Sequence, residues 1–560
     1  MKRQPSLYQD SRLWVLLGLG LLLIIHHLWG YYGHYGFDDI VGYGYYAKQW
    51  ADGQAFFLNE DFFSYRWGFI APTSIFYALF GVNDYVSALL PTIIYLSTAL
   101  LVTRVMRLER RGVAAFAALL YGLDNWTLYY SDKLMADTSV ALATLLAFSA
   151  IARERFEASQ SGQNALLLTA SVFWGYLSKQ SILLLSPVFV LLMLIDVIKG
   201  RHRRFWGYTV VGCTSVGVAY LAWIYILTDN PFERFVAVNQ GVVDNLGAGR
   251  SFAFCNYSIQ EKTALYYRIF AEMGLKFLDS GMALSLLLAL PTLLAQKWNT
   301  LWQTQNFTAY WAFVWLLCLL SSNFMTTSYE AYLPICPDIR HFLMLIPLAA
   351  VVAAPSVVNF AKNKKRGKYF LLSFGLGAVL AVCFTQGNMR WLYVGIEGLI
   401  IWRMLLPNKA ASHWLFLLGL LGVLIIPVVS SMRTTIKESA YLEQRALIYK
   451  HFKYNQEPKM VITNQVGKNI GWYLLEYQEQ HPTQFYTYDQ LPSLDFSRGI
   501  PVYVLTSGNM RYRSGMDYSH LPRAIKDCYE GTCPPSITIL HHSEKNSLLH
   551  IHEPQILLEK

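Results

Sequence analysis

Charge is what this sequence has least of. Only 15% of its 560 residues are Asp, Glu, Lys or Arg, against 54% hydrophobic ones. A soluble domain carries about 25% charged residues, so the composition excludes an ordinary water-soluble class and points into a bilayer. Cysteine is sparse as well: the seven residues include no CxxC pair, which removes the spacing of a structural zinc site. Neither GxxxxGK nor GxGxxG occurs, so no phosphate-cradling loop of standard spacing offers a nucleotide a place. No internal repeat or low-complexity tract stands out. The net charge of +10 could suggest a nucleic-acid partner, but Lys and Arg fall mostly in short loops between apolar segments. That distribution is a topology signal, and no nucleic acid is expected.

What the chain does have is long apolar runs. Segments of spanning length recur near 12–30, 84–104, 112–130, 134–152, 165–181, 182–198, 206–228, 274–295, 308–323, 340–359, 368–386, 389–407 and 413–431. With the N-terminus inside, the clusters Arg104/Arg107/Arg110/Arg111, Lys199/Arg201/Arg203/Arg204 and Lys362/Lys364/Lys365/Arg366/Lys368 all become cytoplasmic, as the positive-inside rule requires. The first span is read as an uncleaved signal-anchor. The weakest division is 165–198; a hairpin turning near Ser178-Lys179-Gln180 keeps every later basic cluster inside. Thirteen spans leave the C-terminal region outside, with two long external loops at 31–83 and 229–273. Residues 1–431 thus form the membrane domain. Beyond Ser431 charge becomes frequent and apolar runs shorten to strand length at Met460–Thr463, Gln484–Tyr488, Val502–Thr506, Ile537–Leu540 and Leu548–Ile551. Residues 432–560 read as a small soluble α/β domain. Cys528 and Cys533 bracket a turn-like Tyr-Glu-Gly-Thr and are a disulfide candidate in an oxidising compartment, with two unpaired thiols as the alternative.

Ionisable residues collect on the external face. Asp38 and Asp39 follow the first span, with Tyr45 in the aromatic run behind them. Tyr65 and Arg66 lie in the same loop. Asp137 opens the fourth span, Lys179 marks a later turn, and Glu330, Arg340 and His341 lie at the entry to the tenth. Singly, each is more often a helix-end anchor or solvated loop residue. Ionisable residues at membrane depth usually face a protein interior or a water-filled cavity, and so many on one face argue for a cavity. Carboxylates there suit general-base work or a divalent cation, cations suit a phosphate, and aromatic rings suit a sugar. Any metal would fall to Asp38 and Asp39; no cofactor is certain.

This order of features resembles the GT-C glycosyltransferases that use polyprenyl-phosphate sugars, the group of the protein O-mannosyltransferases and the lipid A aminoarabinose transferase. Asp38-Asp39 with Tyr45-Tyr46-Ala47 is similar to the acidic pair of that family's first external loop. Tyr65-Arg66-Trp67-Gly68 through Pro72 to Leu79-Phe80-Gly81 resembles the segment after it. Asp137 resembles the acidic residue opening the fourth span, and Gly175-Tyr176-Leu177-Ser178-Lys179-Gln180 a family stretch ending in Lys. Pro337-Asp338-Ile339-Arg340-His341-Phe342 resembles the Arg-Tyr entry to a late span, with His341 in place of Tyr. The resemblance implies Asp38 as base, an uncertain role for Asp39 where many relatives carry Glu, and Arg66, Lys179 and Arg340 on the donor phosphate. Tyr45, Tyr65, Asp137, His341 and Glu330 would line the cavity. The implied activity is inverting transfer of a sugar from a polyprenyl-phosphate donor to an extracytoplasmic glycan, lipid or protein. The expected setting is a bacterial inner membrane, with the C-terminal domain periplasmic.

The rival class is a transporter or flippase of lipid-linked glycans. It predicts ionisable or Gly/Pro-broken segments at mid-membrane, often in related halves. Here the charges gather at one face and no two-fold repeat is visible.

Overall fold

The computed structural model describes residues 11–31, 33–34, 38–56, 58, 62–109, 111–157, 160–247, 273–297, 300, 306–326, 335, 338–385, 388–438, 440–507, 521–529, 531–543 and 546–558, with some side chains inside these ranges excepted. The membrane part is a helical bundle whose elements run α1 Ser11–Trp29, α2 Tyr45–Ala51, α3 Trp67–Phe80, α4 Asp84–Val105, α5 Arg111–Gly122, α6 Asn125–Tyr129, α7 Asp137–Phe156, α8 Ser161–Ser178, α9 Ser186–Ile198 and α10 Arg203–Thr228. After α11 Glu233–Gly247 come α12 Leu275–Asp279, α13 Ala283–Leu294, α14 Phe307–Phe324, α15 Leu345–Asn363, α16 Gly367–Phe384, α17 Met389–Leu405 and α18 Ala410–Glu438. Each of the thirteen expected spans is helical. Eight described helical stretches, including α1, α4, α10, α15 and α18, are long and apolar enough to cross a bilayer. Large apolar side chains such as Trp14, Leu21, Leu79, Ile226, Leu376 and Leu418 stand exposed on their outer faces, as a lipid solvent demands.

Three spans differ from expectation in instructive ways. The run 112–130 is divided after Gly122, because the Asp124 carboxylate caps a new short helix by accepting from Trp126 N and Thr127 N at 3.0 and 3.2 Å. The run 274–295 is broken by Gly281, which holds a φ of +77° that other residues resist. The run from 340 begins with a single 3-10 turn, Ile339–Phe342, capped by Asp338, so Arg340 and His341 precede α15. The hairpin at 178–180 forms as expected, with Lys179 extended between α8 and a 3-10 turn leading into α9.

The two ends of the bundle are chemically distinct. At one end, Arg107 pairs with Glu157, and Arg155 reaches Asp196 at 2.8 Å. There too Arg403 donates to the carbonyl of Ala361 at 2.6 Å, satisfying the last turns of α15. This is the end that carries the basic clusters. The other end carries the acidic pair and the C-terminal domain. Helix α18 runs unbroken to Glu438, so the border expected at 431–432 falls inside it: the apolar run ends there, but helical hydrogen bonding does not.

The appended domain is a five-stranded sheet of β1 Lys459–Thr463, β2 Thr483–Thr487, β3 Val502–Ser507, β4 Ile537–His542 and β5 Asn546–Ile551, in the order β2-β1-β3-β5-β4. β1 pairs parallel with both β2 and β3, and β5 runs antiparallel to β3 and β4. Interior β1 is buried along its whole length, while the edge strand β2 alternates, as their places in the sheet require. Helices α19 Ala440–Ile448 and α20 Gln465–Leu474 lie between the sheet and the bundle, and α21 Arg523–Tyr529 packs beyond it. Cys528 and Cys533 are joined in a disulfide.

Candidate active site

The loop after α1 enters a seven-residue π-helical turn, Asp38–Gly44, which passes directly into α2. Such turns are rare and collect at functional sites. Asp38 and Asp39 open it. The side chain of Asp38 lies outside the described residues, as does Glu330. Asp39 is fully buried; its Oδ1 accepts from Ile40 N at 3.0 Å and its Oδ2 from His34 Nδ1 at 3.1 Å. One turn further on, the hydroxyl of buried Tyr43 accepts a hydrogen bond from Arg66. The guanidinium of Arg66 sits over the Phe63 and Phe62 rings at 4.3 and 4.7 Å. One short helix therefore ties the acidic pair to the first of the expected phosphate cations.

Arg66 caps α3, and its place depends on the next turn. Trp174 Nε1 donates to the carbonyl of Gly68 at 3.0 Å, bringing α3 onto the end of α8 beside Lys179. A Cβ on Gly68 would stand 2.6 Å from Ser178 Oγ and 2.7 Å from its backbone nitrogen. Gly68→Ala is therefore expected to destabilise the protein by about 1–3 kcal/mol through overpacking, read as a lowered melting temperature in detergent. An unchanged melting temperature would show that the two helices can part.

Lys179 and Asp137 form the centre of the charged group. Lys179 Nζ donates to Asp137 Oδ1 at 2.6 Å, and both residues are buried. The second oxygen, Asp137 Oδ2, is buried with no hydrogen-bond partner among the described residues. Arg340 acts electrostatically on both members of the pair, and both in turn act on His341. Arg340 also pairs with Asp338 at 3.0 Å and rests 3.6 Å from Met135 Sδ. Burial pushes the Lys179 ammonium down to about 8 against the pull of Asp137, and Arg340 and Arg66 add repulsion. Burial, with Lys179 and Arg340 beside it, pushes His341 down to about 4, leaving it neutral at pH 7. The fold thus brings together four of the expected residues, Asp137, Lys179, Arg340 and His341, with Arg66 close enough to act on Lys179.

Two expected residues lie elsewhere. Tyr45 packs on Trp472 of the C-terminal domain, ring centroids 4.8 Å apart. Tyr65 is sealed in an aromatic cluster with Trp67 and Tyr220. As for a metal, no group of three or more His, Cys, Asp or Glu gathers to hold one among the described residues. The Asp39 carboxylate, moreover, is engaged by His34. No step is derived through an ion.

Other residues of this end carry little or no signal in the sequence. Asp132, with Oδ1 2.6 Å from Lys133 Nζ, is flanked by His26 and His27 at 3.5 and 3.4 Å. Of the four, only Asp132 and Lys133 stand out by position, as markers of a turn. A second buried group centres on His34 and Asp84. His34 Nε2 lies 2.9 Å from Tyr31 Oη, 3.2 Å from Tyr473 Oη and 3.5 Å from Asp84 Oδ1. Asp84 accepts from Tyr441 Oη at 2.6 Å, from Tyr473 Oη at 3.1 Å and from Arg445. Burial opposes charge on His34, but the hydrogen bonds to Asp39 and Asp84 outweigh it and push the ring up to about 9. No spacing signals this group, since Tyr473 is 439 residues from His34.

No protein-family model and no curated protein matches the sequence. Solved structures do. ArnT from Cupriavidus metallidurans bound to undecaprenyl phosphate superposes with a TM-score of 0.58 at 12% identity, covering 96% of this chain and 98% of that one. Its apo state gives 0.55 at 12% identity, with coverages of 97% and 98%. The apo oligosaccharyltransferase of Archaeoglobus fulgidus gives 0.50 at 13% identity, with coverages of 92% and 72%. Identities this low speak for architecture alone, and the architecture is plain: this chain is a multi-pass membrane protein of the GT-C fold with an appended α/β domain.

Proposed function

We propose that the protein is a glycosyltransferase that moves one sugar from a polyprenyl-phosphate donor to an acceptor on the side of the membrane bearing the α/β domain. The observation that carries this reading is the cationic group of buried Lys179 and half-buried Arg340 and Arg66, set round Asp137 and tied through Tyr43 to the helix opened by Asp38. A phosphate at a membrane boundary needs such a group, and a neutral sugar alone does not. The shared fold with a protein whose structure holds undecaprenyl phosphate supports the same donor class. The setting proposed is a bacterial cytoplasmic membrane, N-terminus inside, with the α/β domain periplasmic.

In the reaction Asp38 takes the proton of an acceptor hydroxyl as its oxygen attacks the anomeric carbon. The bond from that carbon to the phosphate oxygen breaks on the opposite face, so the configuration inverts. Charge grows on the departing polyprenyl phosphate, and the three cations meet it where water is scarce and each is worth most. His341, neutral, can give a hydrogen bond without adding charge.

The test is release of free polyprenyl phosphate from radiolabelled polyprenyl-phosphate sugars by the protein in nanodiscs, with membrane extract as acceptor. Binding without release would turn the reading to a carrier or flippase. A pH dependence follows. Lys179 must be protonated to hold the phosphate, so affinity for undecaprenyl phosphate should fall as pH rises from 7 to 9, through its value of about 8. Affinity that is flat over this window, or that rises, would remove Lys179 from the phosphate.

A further inference from the structure

The C-terminal domain reaches into the membrane part at the point where the acidic pair begins. From α20, Tyr473 Oη lies 3.2 Å from His34 Nε2 and 2.8 Å from Ser87 Oγ, and Ser87 bonds Tyr77 at 2.7 Å. Tyr477 Oη donates to the carbonyl of Ile40, inside the π-helical turn, at 2.7 Å. From α19, Tyr441 and Arg445 both bind Asp84. Gly33, at φ +93°, leaves room for Tyr441: a Cβ there would stand 2.2 Å from its ring. Every one of these hydroxyls is buried, and a network of this kind is strong only when all its members are in place.

We infer that His34 is a positioning residue that orients the Asp38–Asp39 turn, and that the α/β domain completes the active site by fixing His34 from behind. The inference rests on the transferase reading. The two ring nitrogens of His34 face different partners. Nδ1 holds Asp39, which opens the turn with Asp38, while Nε2 faces Asp84 and Tyr473. A turn whose first residues are free to rotate would misplace the base, and misplacement of about 1 Å can cost 10²-fold in rate. A domain that only stabilised the bundle would have no need to contact the turn itself, at Ile40.

The geometry of the imidazole supplies the experiment. An Asn amide nitrogen superposes on Nδ1, and a Gln amide nitrogen on Nε2. His34→Asn keeps the bond to Asp39 and gives up Asp84; His34→Gln does the reverse. Lipid-phosphate release by full-length protein in nanodiscs is expected to fall about 10–100-fold in kcat for His34→Gln, with KM for the donor within about twofold. His34→Asn should keep most of the rate despite a lower melting temperature. Tyr473→Phe, which removes one hydroxyl on the domain side, should lower kcat and leave donor KM alone. Two results would overturn the role: wild-type kcat in His34→Gln, or rates in all three variants that merely track their melting temperatures. Wild-type protein that releases no lipid phosphate under any acceptor would overturn the transferase reading, and this role with it.

Discussion

Asp38→Asn is expected to lower release of polyprenyl phosphate at least about 100-fold while donor binding stays within about twofold of wild type. General-base catalysis contributes about 10²–10⁴-fold, and an amide of the same shape cannot take the acceptor proton. Asp38 is the base that the family resemblance implies. Asp39 is fully buried and committed to His34, so it is placed to hold the turn and not to meet an acceptor. Asp39→Asn should therefore behave unlike Asp38→Asn: it weakens the bond to His34 and disturbs position, but leaves a base in place. If the severe loss fell on Asp39 and Asp38→Asn kept near wild-type release, the two assignments would have to be exchanged.

The second large effect lies in the Lys179–Asp137 pair. Lys179→Met leaves a carboxylate buried without its partner, a change that costs about 3–5 kcal/mol of stability. Asp137→Asn in the same protein removes the stranded charge. The double variant should recover most of the lost stability, because a buried ion pair and a neutral pair of similar volume are often close to equivalent. It should not recover turnover, because a cation expected to meet the departing phosphate is still missing. Melting temperature and lipid-phosphate release, measured on the single and double variants together, separate the two roles. Recovery of both would mean that Lys179 serves only Asp137, and the phosphate would rest on Arg340 and Arg66.

What was legible in the sequence follows from the solvent. A bilayer requires every span to be a long apolar run with its backbone bonded internally, so thirteen helical segments, the Lys179 hairpin and the basic loops could all be read from local composition. The change to short alternating runs beyond Ser431 announced a sheet for the same local reason. Asp137, Lys179, Arg340 and Arg66 were legible because charge at membrane depth is costly and so conspicuous. Their pairing was not, since nothing in spacing says that Lys179 meets Asp137 or that Gly68 lets α3 close on Ser178.

The His34 network was invisible for a stronger reason. Its members come from the loop after α1, the turn at Asp38, the start of α4 and two helices of the distant domain. Tyr, His and Asp are each unremarkable where they stand in the chain. Only packing excludes water from all of them at once, and only then do their hydrogen bonds become obligatory. The amino-acid order alone determined the long apolar helices and the change to a small sheet beyond them. The tertiary structure decided that His34 holds Asp39, that Lys179 meets Asp137, and that the appended domain is bonded to the turn carrying the acidic pair. Those contacts join separate elements of the fold, the last of them 437 residues apart, and local composition cannot encode them.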